Sequence, residues 1–234
     1  MKDIISKPIE GHFKIEQFRD GELIDIYETK NQIMFDSKNI MISAISGMNY
    51  PIDTSAEDSN IFSINTFVLG TKGNVDGNLL DPKDIHTDYK NNDLYSLNPG
   101  DQGEVYPITF TDSGAGSPLS GIEVDTITEG YDNRHTGIST DNTTVNMKIE
   151  EGGDTKSMVY VFEIPLENAN GSGGNPIAYT EAALYTRLNQ DLGTGTQSAP
   201  SSVPDYGYIF AMRTFPAKIK DSTTNFRITW KVIF

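Results

Sequence analysis

The 234-residue chain contains no cysteine. That excludes disulfides, thiolate nucleophiles, cysteine-ligated zinc and iron–sulfur clusters. Basic charge is scarce: 18 Lys and Arg stand against 33 Asp and Glu, a formal net charge of −15. A nucleic-acid binder presents a basic face, so this balance argues against DNA or RNA as a partner, and equally against docking on an anionic membrane. No stretch approaches the ~20 apolar residues of a membrane-spanning helix. The opening residues, Met1-Lys2-Asp3-Ile4-Ile5-Ser6-Lys7-Pro8, lack the apolar core of a signal peptide, which predicts folding in the cytoplasm where the chain is made. No glycine-rich loop joins a strand to a helix to cradle phosphate. Nor is there a nucleophile elbow; Gly114-Ala115-Gly116-Ser117-Pro118 lacks the flanking glycine spacing. No catalytic, cofactor-binding or metal-ligating residue is therefore assigned, and the chain is expected not to be an enzyme.

What is present is β-structure. Hydrophobic residues make up 36% of the chain, enough for a packed core. Residues 11–31 read as a hairpin, with Phe13, Ile15 and Phe18 before the turn Asp20-Gly21 and Leu23, Ile24, Ile26 and Tyr27 after it. Residues 61–71 are apolar on both faces and read as a central strand. Further strands are expected near 105–111, 122–129, 143–150 and 157–166. At the C-terminus, Phe226, Ile228, Trp230, Val232 and Phe234 alternate with Arg227, Thr229, Lys231 and Ile233, a half-buried strand. The segment Tyr208–Phe215 is expected to pair with it as a hairpin over 207–234. One helix is predicted, over 36–47, with Asp36 or Ser37 as N-cap, a stripe of Ile40, Met41, Ala44 and Ile45, and Gly47 at its end. The expectation is a single mainly β domain over 1–234, an antiparallel β-sandwich or open barrel with one short helix.

Two segments interrupt this pattern. Residues 72–104 read as an acidic insertion rich in Gly, Asn, Asp and Pro. Residues 189–206 read as a flexible Gly/Ser/Thr/Pro loop, long for a compact domain. Within the insertion, Asp81, Asp84, His86 and Asp88 form the best metal-ligand cluster, but the spacing matches no established loop and a solvated acidic surface is the expected reading. Asn74-Val75-Asp76-Gly77-Asn78 resembles a fragment of a calcium loop without its closing glutamate, so a tight turn is expected. Tyr89, Tyr95, Tyr106 and Tyr131 offer a possible glycan platform, against which stands ordinary β packing. Sequons at Asn142 and Asn170 need a secretory route that the N-terminus does not offer. Glu181 and Arg213 lie in neighbouring segments where an ion pair is one expectation and a lone exposed arginine the other.

Several segments together carry a resemblance. They are Tyr27-Glu28-Thr29-Lys30-Asn31-Gln32-Ile33-Met34, leading into the predicted helix; Val68-Leu69-Gly70-Thr71; Tyr179-Thr180-Glu181-Ala182-Ala183-Leu184-Tyr185; Ile209 to Lys220, containing Phe210-Ala211-Met212-Arg213-Thr214-Phe215; and Phe226 to Phe234. This layout resembles a group of tailed-bacteriophage virion structural proteins of tails, necks or fibre attachment, over roughly the first 70 and last 55 residues. The resemblance implies a non-enzymatic virion subunit, located in the virion, that assembles with copies of itself and with neighbouring virion proteins. The alternative is a glycan- or receptor-binding module of a tail tip.

Overall fold

The computed structural model describes residues 9–34, 62–85, 94–97, 103–109, 127–129, 144–152, 155–171, 174–188 and 208–234. The predicted helix over 36–47 and the loop over 189–206 lie outside the described residues. Among the described residues ten strands are seen: β1 (Glu10–Arg19), β2 (Glu22–Ile33), β3 (Phe62–Gly70), β4 (Val105–Thr109), β5 (Ile127–Glu129), β6 (Thr144–Gly152), β7 (Thr155–Ile164), β8 (Ile177–Leu188), β9 (Tyr208–Lys220) and β10 (Thr224–Ile233). They form one sheet in the order β4-β3-β8-β9-β2-β1-β10-β7-β6-β5, with every pairing antiparallel. The sheet curls into a half-barrel, the mainly β fold that the sequence predicts.

The β1–β2 hairpin follows from its turn. Asp20 and Gly21 take positive φ (52° and 81°), the pairing required by a two-residue connection whose twist matches the strands. The imperfect alternation of β2 is a bulge: Gln17 pairs with Asp25 and Phe18 with Leu23, leaving Ile24 extra.

The expected hairpin over 207–234 is not formed. Both edges of β10 are occupied, by β1 from Glu10↔Ile233 to Arg19↔Thr224 and by β7 from Phe226↔Ile164 to Ile233↔Ser157. β9 instead pairs with β8 and with the end of β2. The chain therefore crosses at residues 221–223 from one layer to the other. Asp221 sets this corner, its Oδ1 accepting hydrogen bonds from Thr223 N–H and Oγ1 (2.8 and 2.7 Å). Sequential strands often pair, but here the apolar alternation of both strands is better buried face to face.

The two layers meet through aromatic residues. The Phe13 ring lies 5.3 Å from Phe215 and 5.1 Å from Trp230. The Phe67 ring stacks at 4.2 Å on Phe162 and meets Trp230 at 6.2 Å. Phe13 and Trp230 are neighbours on β1 and β10, Phe162 lies on β7, and Phe67 and Phe215 lie on β3 and β9, so the contacts of Phe13 with Phe215 and of Phe67 with Phe162 and Trp230 tie one half of the sheet to the other. β3 is apolar on both faces, as its sequence predicts. Phe67 and Leu69 enter this core, while Val68 joins a second cluster with Ala183, Tyr185, Ile209, Met212, Leu94 and Leu97. Part of the acidic 72–104 segment thus forms a third layer behind β3, β8 and β9.

Candidate functional site

Glu181 sits on the rear face of β8, fully buried. Its Oε2 accepts the Tyr95 N–H (2.8 Å); its Oε1 accepts the Ser96 N–H (2.8 Å), the Ser96 hydroxyl and, at 3.4 Å, the Lys72 N–H. Ser96 Oγ in turn accepts the N–H groups of Thr71 (2.8 Å) and Lys72 (3.0 Å). The neighbouring Thr180 Oγ1 accepts from Gly73 N–H (2.8 Å). One carboxylate thus ties the 71–73 segment and the 3-10 turn Tyr95–Leu97 to the sheet. The approach needs Gly70: a Cβ there would stand 2.6 Å from both Glu181 Oε1 and Ser96 Oγ. Burial raises the carboxyl pKa above its ordinary value, and the bonds from Ser96, Tyr95 and Lys72 oppose that rise.

The expected pairing of Glu181 with Arg213 does not occur. Ala182 is opposite Arg213 and Glu181 opposite Thr214. Ala182 lies in the core between the layers. Alternation along the strands therefore sends Arg213 to that side and Glu181 to the other. The Arg213 Nη2 donates to Tyr27 Oη at 3.4 Å, and its Nε is buried without a partner.

Lys220 forms a second buried polar centre. Its Nζ donates to the carbonyls of Leu166 (3.0 Å) and Asp221 (3.0 Å) and to Asn170 Oδ1 (3.1 Å). Asn170 Nδ2 donates to Leu166 O (2.7 Å), so the amide at this sequon is engaged in holding the turn after β7. Burial lowers the ammonium pKa to about 8 from 10.5. Between those values the unfolded chain holds a proton that the folded chain has released. This group's contribution to stability therefore rises with pH across the window and is least favourable below it. Lys220→Met is expected to flatten the rise between pH 8 and 10, measured as denaturation midpoint against pH; an unchanged slope would contradict this origin.

The sequence-predicted ligands are only partly within view. Asp81 and Asp84 are exposed, while His86 and Asp88 lie outside the described residues. Among the described residues no group of three or more acidic or histidine side chains is placed to hold a metal ion. Residues 74–78 form the expected tight turn, Asn78 N–H donating to Val75 O at 2.8 Å. Tyr106 is buried in the core. Tyr95 is half-buried, with its hydroxyl donating to Asp84 O (2.7 Å). Tyr89 and Tyr131 lie outside the described residues.

The remaining feature is an open strand edge. β2 and β9 pair only at Gln32↔Met212 and Ile33↔Ala211, followed by Met34 N–H donating to Phe210 O (3.0 Å). Residues 32 and 34 thus turn their backbone groups toward β9. By the two-residue period, Lys30, Glu28 and Ile26 turn theirs the same way. Among the described residues, no strand pairs with that side of β2 between Glu22 and Asn31. Side chains alone bridge the gap: Lys218 Nζ meets Asp25 Oδ2 at 2.6 Å, and Gln17 Nε2 donates to Ile219 O at 2.7 Å. At the fork, Asn31 is buried with both amide atoms unpartnered. Its bulk lies over Gly11, where a Cβ would collide with it. The arrangement defines a class in physical terms: a curled antiparallel sheet whose β2–β9 seam, among the described residues, is paired at one end only. Compared with known proteins, the chain matches no family model, no curated protein and no solved structure.

Proposed function

We propose that the protein is a non-enzymatic structural subunit of a tailed-phage virion, a tail, neck or fibre-attachment component acting through contacts with copies of itself and with neighbouring virion proteins. The observation that carries this reading is the edge of β2 that no strand pairs among the described residues, which offers backbone donors and acceptors for a partner's strand to extend. The buried charges support it, since Glu181 and Lys220 are both engaged in fixing loops to the sheet. The segments that carry the phage resemblance build β2, β3, β8, β9 and β10, the strands around the seam and the core.

A second reading, glycan recognition, is favoured by a cleft of about 400 Å³ lined by Phe18, Glu163, Asn225 and Arg227. It combines an aromatic ring, a charged pair and a buried Asn225 Oδ1 with no partner. Size exclusion with light scattering on the full chain separates the two. The virion reading expects a closed oligomer that forms with rising concentration, with deletion of residues 189–206 shifting it. A monomer throughout that saturably binds a purified polysaccharide would replace the first reading by the second.

A further inference from the structure

Nine large apolar side chains are exposed among the described residues. Six of them, Leu23, Ile24, Ile26, Leu79, Leu80 and Ile219, belong to three segments that meet at the seam. Leu80 is 78% exposed and Ile26 49%. Contacts fix the convergence: Lys218 binds Asp25 at 2.6 Å, Ala217 N–H donates to Leu79 O at 2.7 Å, and Gln17, the partner of Asp25, donates to Ile219 O at 2.7 Å. The Ala217 N–H of β9 is thereby taken by the Leu79 carbonyl, whereas among the described residues no strand pairs with the outer edge of β2. At Ile26 the outward N–H is occupied by Asp25 Oδ1 (2.8 Å), leaving Glu28 and Lys30 as the residues whose outward groups a strand would meet first. Exposed apolar surface beside an open edge is what natural sheets avoid unless a partner covers it.

The charge around this surface selects the partner. Residues 20–30, 75–84 and 217–219 contain the acids Asp20, Glu22, Asp25, Glu28, Asp76, Asp81 and Asp84 against Lys30, Lys83 and Lys218. Lys218 is already paired with Asp25, and Lys83 lies over the Tyr95 ring at 4.5 Å. A second copy docked here would bring the same acids against these, and like charges across an interface oppose binding. We infer that the β2 edge and its apolar surround receive an extended segment of a different protein, with alternating apolar side chains flanked by lysine or arginine. This rests on the assembly reading above and assigns one face of that assembly to a neighbour of opposite charge.

The test uses the full chain, labelled for amide NMR, and a synthetic peptide of about ten residues alternating valine and threonine with lysines at both ends, a length matched to β2. A glutamate-ended peptide is the control. The lysine peptide is expected to bind about tenfold more tightly than the control, the gap narrowing in high salt, with exchange protection at Glu28 and Lys30. The double variant Ile26→Ser, Leu80→Ser, which removes the apolar surround without changing charge and is shown folded by its unchanged amide dispersion elsewhere, is expected to lose that binding. Equal binding of both peptides, absence of binding, or perturbation away from β2 would overturn the inference. So would loss of self-association in the double variant, which would assign the face to a second copy. A monomeric chain that still binds the lysine peptide at β2 would refute self-assembly and leave this inference standing.

Discussion

Trp230→Ala is expected to cost about 3–5 kcal/mol and to leave little folded protein at physiological temperature. Trp230 is the largest fully buried side chain and stands on the central strand β10. It touches Phe13 on β1 and Phe67 on β3, so its removal opens a cavity against both halves of the curled sheet at once. A surface collapse cannot refill that space, because the rings around it are held from opposite sides. Trp230→Phe is expected to cost far less, since most of the apolar area stays and the indole N–H it removes has no hydrogen-bond partner. Urea titrations of both variants check the pair. A loss below about 1 kcal/mol for the alanine variant would mean that the two layers do not depend on this contact.

Glu181→Ala is expected to cost about 3 kcal/mol or more, because it strands the buried N–H groups of Tyr95 and Ser96 and the Ser96 hydroxyl. The damage should be local first. Hydrogen exchange at Tyr95 and Ser96 is expected to rise by orders of magnitude before β10 is affected, releasing Leu94 and Leu97 from the rear core. Glu181→Gln keeps one acceptor but turns an N–H toward donors, so an intermediate cost is expected. The titration has a definite sign. Folded, this carboxyl holds its proton to higher pH than the unfolded value of 4.5. The folded chain therefore carries the extra proton in that interval, and this group's contribution, complete below pH 4.5, declines as pH rises through the folded value. Glu181→Gln should remove that decline. Wild-type exchange protection over 94–97 equal in the alanine variant would show that the turn is held by its leucines alone.

The hairpin at Asp20-Gly21, the two-faced strand read at 61–71 and the alternating strand from Phe226 were legible because each is a local pattern, although the last strand stops at Ile233 and Phe234, expected inside it, is exposed. Turn chemistry and period-two alternation need no knowledge of partners. The partnership of β9 and β10 was not legible, because two amphipathic strands joined by a short link suit either a hairpin or a crossing between layers. Only the capture of β10 by β1 and β7 decides. Glu181 was marked out by its place beside two alanines, yet its partners lie 85 and 86 residues away, in a stretch whose Asn, Asp and Pro read as solvated loop. Leu94 and Leu97 are isolated there, without a periodic neighbour to signal burial. The open edge of β2 had a faint signal in Leu23, Ile24 and Ile26, three large apolar residues packed too closely for strict alternation. The acidic count was legible, but not that its charges gather around an apolar surface.

The place of β10 has a consequence for how the chain acquires its shape. The strand that closes the middle of the sheet leaves the ribosome after the nine other described strands, and its first partner, β1, was made more than two hundred residues earlier. Until residue 233 emerges, β1 has β2 on one side and nothing on the other, while β7 waits with an uncovered edge. Contacts of such sequence separation make folding slow. The nascent chain must therefore carry two sticky strand edges through most of its synthesis, and completion by β10 joins them in a single late event.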